Sequence, residues 1–192
     1  MSGTDDIEGA VRAILSGGIA AFPTDTVYGL AADMSNPEAV ERLFALKGRD
    51  PNNPLPVMIP RIDMLKQVAR EIPESARRLA ENYLPGALTI VLKKSPAVPD
   101  KVSGGRDTVG IRIPDHKTAL AILEGAGRPL AVTSANRSGE QCLLEYEDVV
   151  REFGDRVNII VPGRVKYREV STVVDCTVEP PVVLREGVVR LL

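Results

Sequence analysis

Tryptophan is absent from these 192 residues, and three Phe and four Tyr hold aromatics to 4%. The core must therefore be built mainly from Val, Ile, Leu and Ala. Rows of aromatic side chains that could stack the bases of single-stranded nucleic acid are excluded by the same shortage. Histidine occurs once, at His116. A His-rich zinc site and any mechanism that passes protons among several imidazoles are out. A Ser-His-Asp triad would have to use His116, and no nucleophile elbow accompanies it. After Pro114-Asp115 this residue reads instead as a helix start. The two cysteines, Cys142 and Cys176, lie far apart without C-x-x-C or Cys/His spacing, as expected of reduced thiols in a cytosolic protein. Neither G-x-x-x-x-G-K-[ST] nor G-x-G-x-x-G occurs, so the common phosphate cradles are missing. No apolar run approaches the roughly 20 residues of a membrane helix. The acidic N-terminal stretch also lacks a signal-peptide layout. The expectation is a soluble, cytoplasmic protein with no membrane partner. A net charge of −2 gives no overall basic signal for nucleic acid, though it leaves room for a local basic groove.

What is present fits one globular domain over residues 1–192, with 44% hydrophobic and 26% charged residues. The organising stretch is IAAFPTDTVYGL, residues 19–30. A short apolar run ends at Pro23, which cannot donate to a sheet ladder. Thr24, Asp25, Thr26 and Tyr28 then offer hydroxyls and a carboxylate at one rim, as ligand sites in open α/β sheets commonly do.

Before it, Asp5 or Asp6 is placed to cap a helix with Ile7, Val11, Ile14 and Leu15 on one face. After it, Asn36-Pro37-Glu38 reads as an N-cap, an N1 proline and an acidic first turn, and Gly48 as the stop. Residues 55–59 suggest an edge or irregular strand because of Pro56. Two helices follow over 61–70 and 73–83. Further strands are expected at 87–92, 108–113, 130–133, 157–161, 172–175, 182–184 and 188–191. Helices are expected at 116–124 and 146–153, and loops at 96–106 and 162–170. This alternation predicts an α/β (α+β) fold: a twisted, mixed parallel and antiparallel sheet with helices on both faces.

Several cations sit beside turns. Lys47-Gly48-Arg49 ends a helix, Arg112 interrupts an apolar strand, and Arg185 follows Val182-Val183-Leu184. Singly, each has a structural explanation: helix C-terminal charge, an internal ion pair, or an exposed edge. Together with the hydroxyl clusters at 24–26 and 133–136 they suggest a site for an anionic ligand.

The order of these segments resembles the YrdC-like family, the threonylcarbamoyl-adenylate synthases of tRNA modification. The matching pieces are residues 23–30, Lys47-Gly48-Arg49 with Asn53-Pro54-Leu55, and Pro85-Gly86 with Thr89. They continue with residues 112–116, Ser134-Ala135-Asn136 with Ser138-Gly139, and residues 171–175. The resemblance implies a sheet around a large concave groove in the single-domain form. It implies the condensation of L-threonine, bicarbonate and ATP, with Mg²⁺, into threonylcarbamoyl-AMP and pyrophosphate. A downstream threonylcarbamoyl transferase complex would then act at position 37 of tRNA. Carried over position by position, Thr26, Arg112, Ser134 and Ser171 would hold threonine. Lys47, Arg49, Asn53, Thr108, Asn136 and Arg185 would hold ATP, with Lys47 and Arg49 nearest the chemistry, and no protein side chain is assigned to a metal. The chain departs from the family pattern at Asp50, Met58 and Leu144, and in the glycine-free loop 164–169; these bear on affinity and substrate choice. The competing reading is a tRNA- or double-stranded-RNA-binding module that uses the same groove without turnover.

Overall fold

The structure is a computed structural model that describes residues 3–191. Helix α1 (Gly3–Leu15) opens the chain. Asp5 and Asp6 lie inside its first turn rather than at the cap, where they still face the positive end of the helix dipole. Leu15, expected on the apolar face, is exposed, and Ala10 is buried with Ile14 instead.

Strand β1 (Ala20–Pro23) turns back at once into β2 (Tyr28–Asp33), with Ala20 opposite Ala31 and Pro23 opposite Tyr28. The sequence pattern predicts no strand over 28–33. Tyr28-Gly29-Leu30-Ala31-Ala32-Asp33 carries no β-branched residue, and burial on both faces rather than propensity makes it a strand. Helix α2 (Pro37–Lys47) is capped as expected: Asn36 Oδ1 accepts from the amides of Glu38 and Ala39, and Gly48 closes the helix at φ 61°.

Strand β3 (Val57–Met58) is irregular but not an edge. It lies between β5 (Thr108–Arg112) and β6 (Leu130–Ser134), parallel to the first and antiparallel to the second. Pro56 is tolerated there because the ladder uses its carbonyl, which accepts from the Val132 amide at 2.9 Å. A short 3-10 turn (Ile62–Met64) and helices α3 (Leu65–Val68) and α4 (Glu74–Tyr83) lead to β4 (Leu88–Lys93). The expected 96–106 loop contains α5 (Asp100–Ser103). Helices α6 (Lys117–Ala126) and α7 (Tyr146–Phe153) and strands β7 (Ile159–Ile160), β8 (Thr172–Asp175) and β9 (Val182–Arg185) complete the chain. Residues 188–191, expected as a strand, form none. The Val188 amide bonds the Val170 carbonyl, and the Val189 carbonyl accepts from the Thr172 hydroxyl of β8 at 2.7 Å, so the segment is tied to the sheet by a side chain rather than by a ladder.

The nine described strands make one mixed sheet in the order β7-β1-β2-β6-β3-β5-β4-β8-β9. Side-chain alternation divides it into two faces. Val57, Ile90, Val109 and Ile111 face a large core shared with α2 and α4. On the opposite face, α1 and α6 cover β1, β2 and β6 through Ala20, Phe22, Ala31 and Val132. Beyond β3 the second core ends, and that face becomes the floor of a concave groove. No described helix is long and apolar enough to cross a membrane.

Candidate active site

The groove follows from strand periodicity. In β5, Val109 and Ile111 point into the core, so Thr108, Gly110 and Arg112 point the other way. The register brings Arg112 opposite Met58 of β3, and Ser134 of β6 opposite Gly29 of β2. Thr24, Thr26, Arg49, Met58, Thr89, Arg112, Ser134, Ser171 and Arg185 thus line one cleft of about 130 Å³. A second hollow shares Pro56, Thr89, Ser171 and Arg185 with it and continues past Thr108, Leu55 and Leu184. With about 330 Å³ in that second hollow, the joined space falls among the pockets of roughly 300–1,000 Å³ that hold drug-sized molecules, larger than an amino acid needs.

At the closed end, Arg112 is held from three sides. Its Nε donates to the Gly86 carbonyl at 3.0 Å, Nη1 to Thr26 Oγ1 at 2.8 Å and Nη2 to Asp25 Oδ1 at 2.5 Å. Both members of the Arg112–Asp25 pair are buried, with side chains 5% and 0% exposed. Burial pulls the arginine below its usual range and Asp25 opposes that pull. Two of the five guanidinium N–H groups remain uncommitted. Thr89 and Ser171 share a hydroxyl–hydroxyl bond of 2.8 Å across the parallel β4–β8 pair. Arg185 reaches back from β9 to the Ser171 carbonyl at 2.8 Å and its hydroxyl at 3.2 Å.

Lys47 does not line the cleft. It lies beneath the turn that follows β6, where its ammonium donates to Ser134 O at 2.6 Å and to Asn136 O and Oδ1 at 2.8 Å each. Burial and the neighbouring Arg49 charge pull it down to about 8. Asn136 is held at both ends of its amide: its Oδ1 also accepts from Ser134 Oγ and its Nδ2 donates to the Glu140 carbonyl. These two residues therefore shape the wall that carries Ser134. The side chain of Asn53 is exposed, and its carbonyl accepts from Arg49 Nε at 3.2 Å.

A family profile described as telomere recombination, Sua5, YciO and YrdC, matches residues 12–187. The chain belongs to this family. Among its relatives, threonylcarbamoyl-AMP synthase of Pyrococcus abyssi is 43% identical over 175 residues, which cover 91% of this chain and 52% of that protein. The structure of P. abyssi Sua5 complexed with L-threonine superposes with a TM-score of 0.93 at 42% identity, covering 97% of this chain and 55% of the other. Escherichia coli YciO gives 0.86 at 30% identity, covering 95% and 89% respectively. The chain spans about half the length of the first curated relatives it matches.

Of the residues singled out from the sequence, Thr26, Arg49, Arg112, Ser134, Ser171, Thr108 and Arg185 share the continuous cleft. Lys47 and Asn136 stand behind its wall, and Asn53 sits at its margin. Sequence reasoning recognised Asp25 as part of the polar rim but gave it no role. Its signal was the isolated Arg112 in an apolar strand, which required a carboxylate or an anion somewhere in the fold. His116 takes the helix-start position expected of it, with Nε2 3.1 Å from the Arg164 carbonyl. Cys142 and Cys176 are both free thiols, and burial pushes Cys176 up to about 11.

Proposed function

We propose that this protein is a nucleotidyltransferase that joins L-threonine, bicarbonate and ATP into threonylcarbamoyl-AMP with release of pyrophosphate. The observation that carries the reading is a cleft lined by the guanidinium groups of Arg49, Arg112 and Arg185 and a ring of hydroxyls, closed at the Arg112 end and continued by a second hollow past Thr108 and Arg106. The threonine carboxylate is assigned to the two free N–H groups of Arg112, and its hydroxyl to Thr26, Ser134 or Ser171. Leaving such buried partners unpaired penalises an amino acid without the hydroxyl. A relative solved with L-threonine superposes closely on this chain, which supports the same ligand here.

The chemistry asks for alignment more than for acid–base groups. The amine, once neutral, adds to carbon dioxide with loss of a proton to solvent, or condenses with bicarbonate with loss of water, to give a carbamate; a carbamate oxygen then attacks the α-phosphorus and the bond to the departing pyrophosphate breaks. Arg49 and Arg185 face the charge that develops, and the rigid wall set by Lys47 and Asn136 fixes the geometry. Among the described residues no three His, Cys, Asp or Glu side chains cluster as metal ligands. Magnesium is therefore assigned to the MgATP substrate, bound through phosphates and water. The product is a mixed anhydride and suits a transferase that passes the threonylcarbamoyl group to adenosine 37 of tRNA. The test is phosphorus NMR of protein incubated with MgATP, bicarbonate and threonine. Pyrophosphate and a new AMP adduct, both requiring threonine, are expected; their absence refutes the assignment.

A further inference from the structure

Arg49, Arg112 and Arg185, the guanidinium groups that line the first hollow, are not electrically alike. Arg49 donates to the carbonyls of Asn53 and Pro54, and Arg185 to the carbonyl and hydroxyl of Ser171. Neither has a carboxylate within ion-pair distance among the described residues. Arg112, in contrast, is neutralised by Asp25 at 2.5 Å. The other oxygen of that carboxylate, Oδ2, is enclosed and meets no protein donor among the described residues. Among the described residues Asp25 therefore forms an ion pair with Arg112 and with no other cation. Thr24 and Thr26, its chain neighbours, form the cleft wall while Asp25 lies behind it. Its influence on a ligand is exerted through Arg112 and through its charge.

An unpaired guanidinium in this enclosed corner would attract any anion. Under the proposed reaction, phosphate groups, bicarbonate and the amino acid's carboxylate all enter one hollow. A paired guanidinium keeps its directional N–H donors and loses the net charge that draws anions in. A zwitterion is itself neutral, and the negative charge behind the wall favours its ammonium group. We infer that Asp25 is a specificity-determining residue: by cancelling the charge of Arg112 it reserves that end of the cleft for a zwitterionic amino acid and leaves the phosphates to Arg49 and Arg185. This rests on the proposed function and adds a residue that acts against wrong ligands.

The probes are L-threonine, 3-hydroxybutyrate (threonine without its ammonium group) and inorganic phosphate. Calorimetric titration of the intact chain gives the preference of the wild type for threonine over 3-hydroxybutyrate. Asp25→Asn keeps the side-chain shape and an oxygen for Arg112 but removes the charge. In this variant the preference is expected to fall by about tenfold or more, as for the loss of a close charge pair. Phosphate should become a competitor of threonine, and MgATP affinity should stay as in the wild type. A folded Asp25→Asn protein, verified by thermal melting, that keeps the wild-type preference overturns the inference. Should the variant fail to fold, phosphate inhibition of the wild type decides: competition with ATP alone supports the inference, and competition with threonine overturns it. A wild type that binds MgATP but no amino acid refutes the functional reading itself, and the inference falls with it.

Discussion

Lys47→Met tests whether the lysine serves the site through its neighbours. The side chain is 2% exposed and all three ammonium protons are committed to Ser134 O, Asn136 O and Asn136 Oδ1. Methionine matches its length and removes every donor. Asn136 Oδ1 would keep the Ser134 hydroxyl, so two carbonyl groups lose their ammonium donor. Such losses cost about 1–3 kcal/mol each. In the opposite direction, the fall of the lysine from 10.5 to about 8 corresponds to roughly 3 kcal/mol spent on keeping a charge in the interior. The two effects largely cancel. Net destabilisation should stay within about 3 kcal/mol, a fall in melting temperature below about 12 °C for a chain of this size. Activity should respond far more, because the turn carrying Ser134 loses the group that fixes it. A displacement of about 1 Å can reduce the rate about a hundredfold. The assay is threonine-dependent pyrophosphate release alongside a thermal melt. A folded Lys47→Met protein with near-wild-type turnover would refute the reasoning, as would a collapse of stability that accounts for the lost activity.

Arg49→Ala and Arg185→Ala each remove a cation that has no carboxylate partner among the described residues, so MgATP should bind about 10–100-fold more weakly. Threonine affinity should be retained in both, and an unchanged nucleotide titration would contradict the assignment. The pH dependence has a definite sign. Lys47 loses its proton as pH rises past about 8 and then offers two N–H groups to three acceptors, so activity should decline on the alkaline side. Its folded value lies below the unfolded 10.5, so the unfolded chain binds more protons between about 8 and 10.5 and the contribution of this group to stability rises across that window. Activity falling together with stability there would count against Lys47 as the titrating group.

The elements read most easily from the sequence were those with local punctuation. Asn36-Pro37 and Gly48 bracket α2, and the apolar periodicity of 146–153 matches α7 residue for residue. Tyr28–Asp33 is not legible because its small residues are recruited into a strand between β1, just before it, and β6, about a hundred positions further along. Pro56 suggested an edge because a proline's missing donor is a local fact, whereas the two strands that flank Val57–Met58 are supplied by residues more than 50 positions further along. In the site, the cations were legible as charges out of place. Their partners were not: Asp25 lies 87 positions from Arg112, and nothing in the spacing links them.

The amino-acid order alone determined the chemistry available: few aromatics, one imidazole, hydroxyl-rich strand ends and cations beside turns, in an order that identifies the family. Those are properties of composition and short motifs, fixed before any contact forms. Only the tertiary structure decided which guanidinium is neutralised and which stand bare, and that Lys47 braces a wall rather than lining the cleft. Charge at a site is set by what lies within a few ångströms, and strand order, not chain order, fixes those distances.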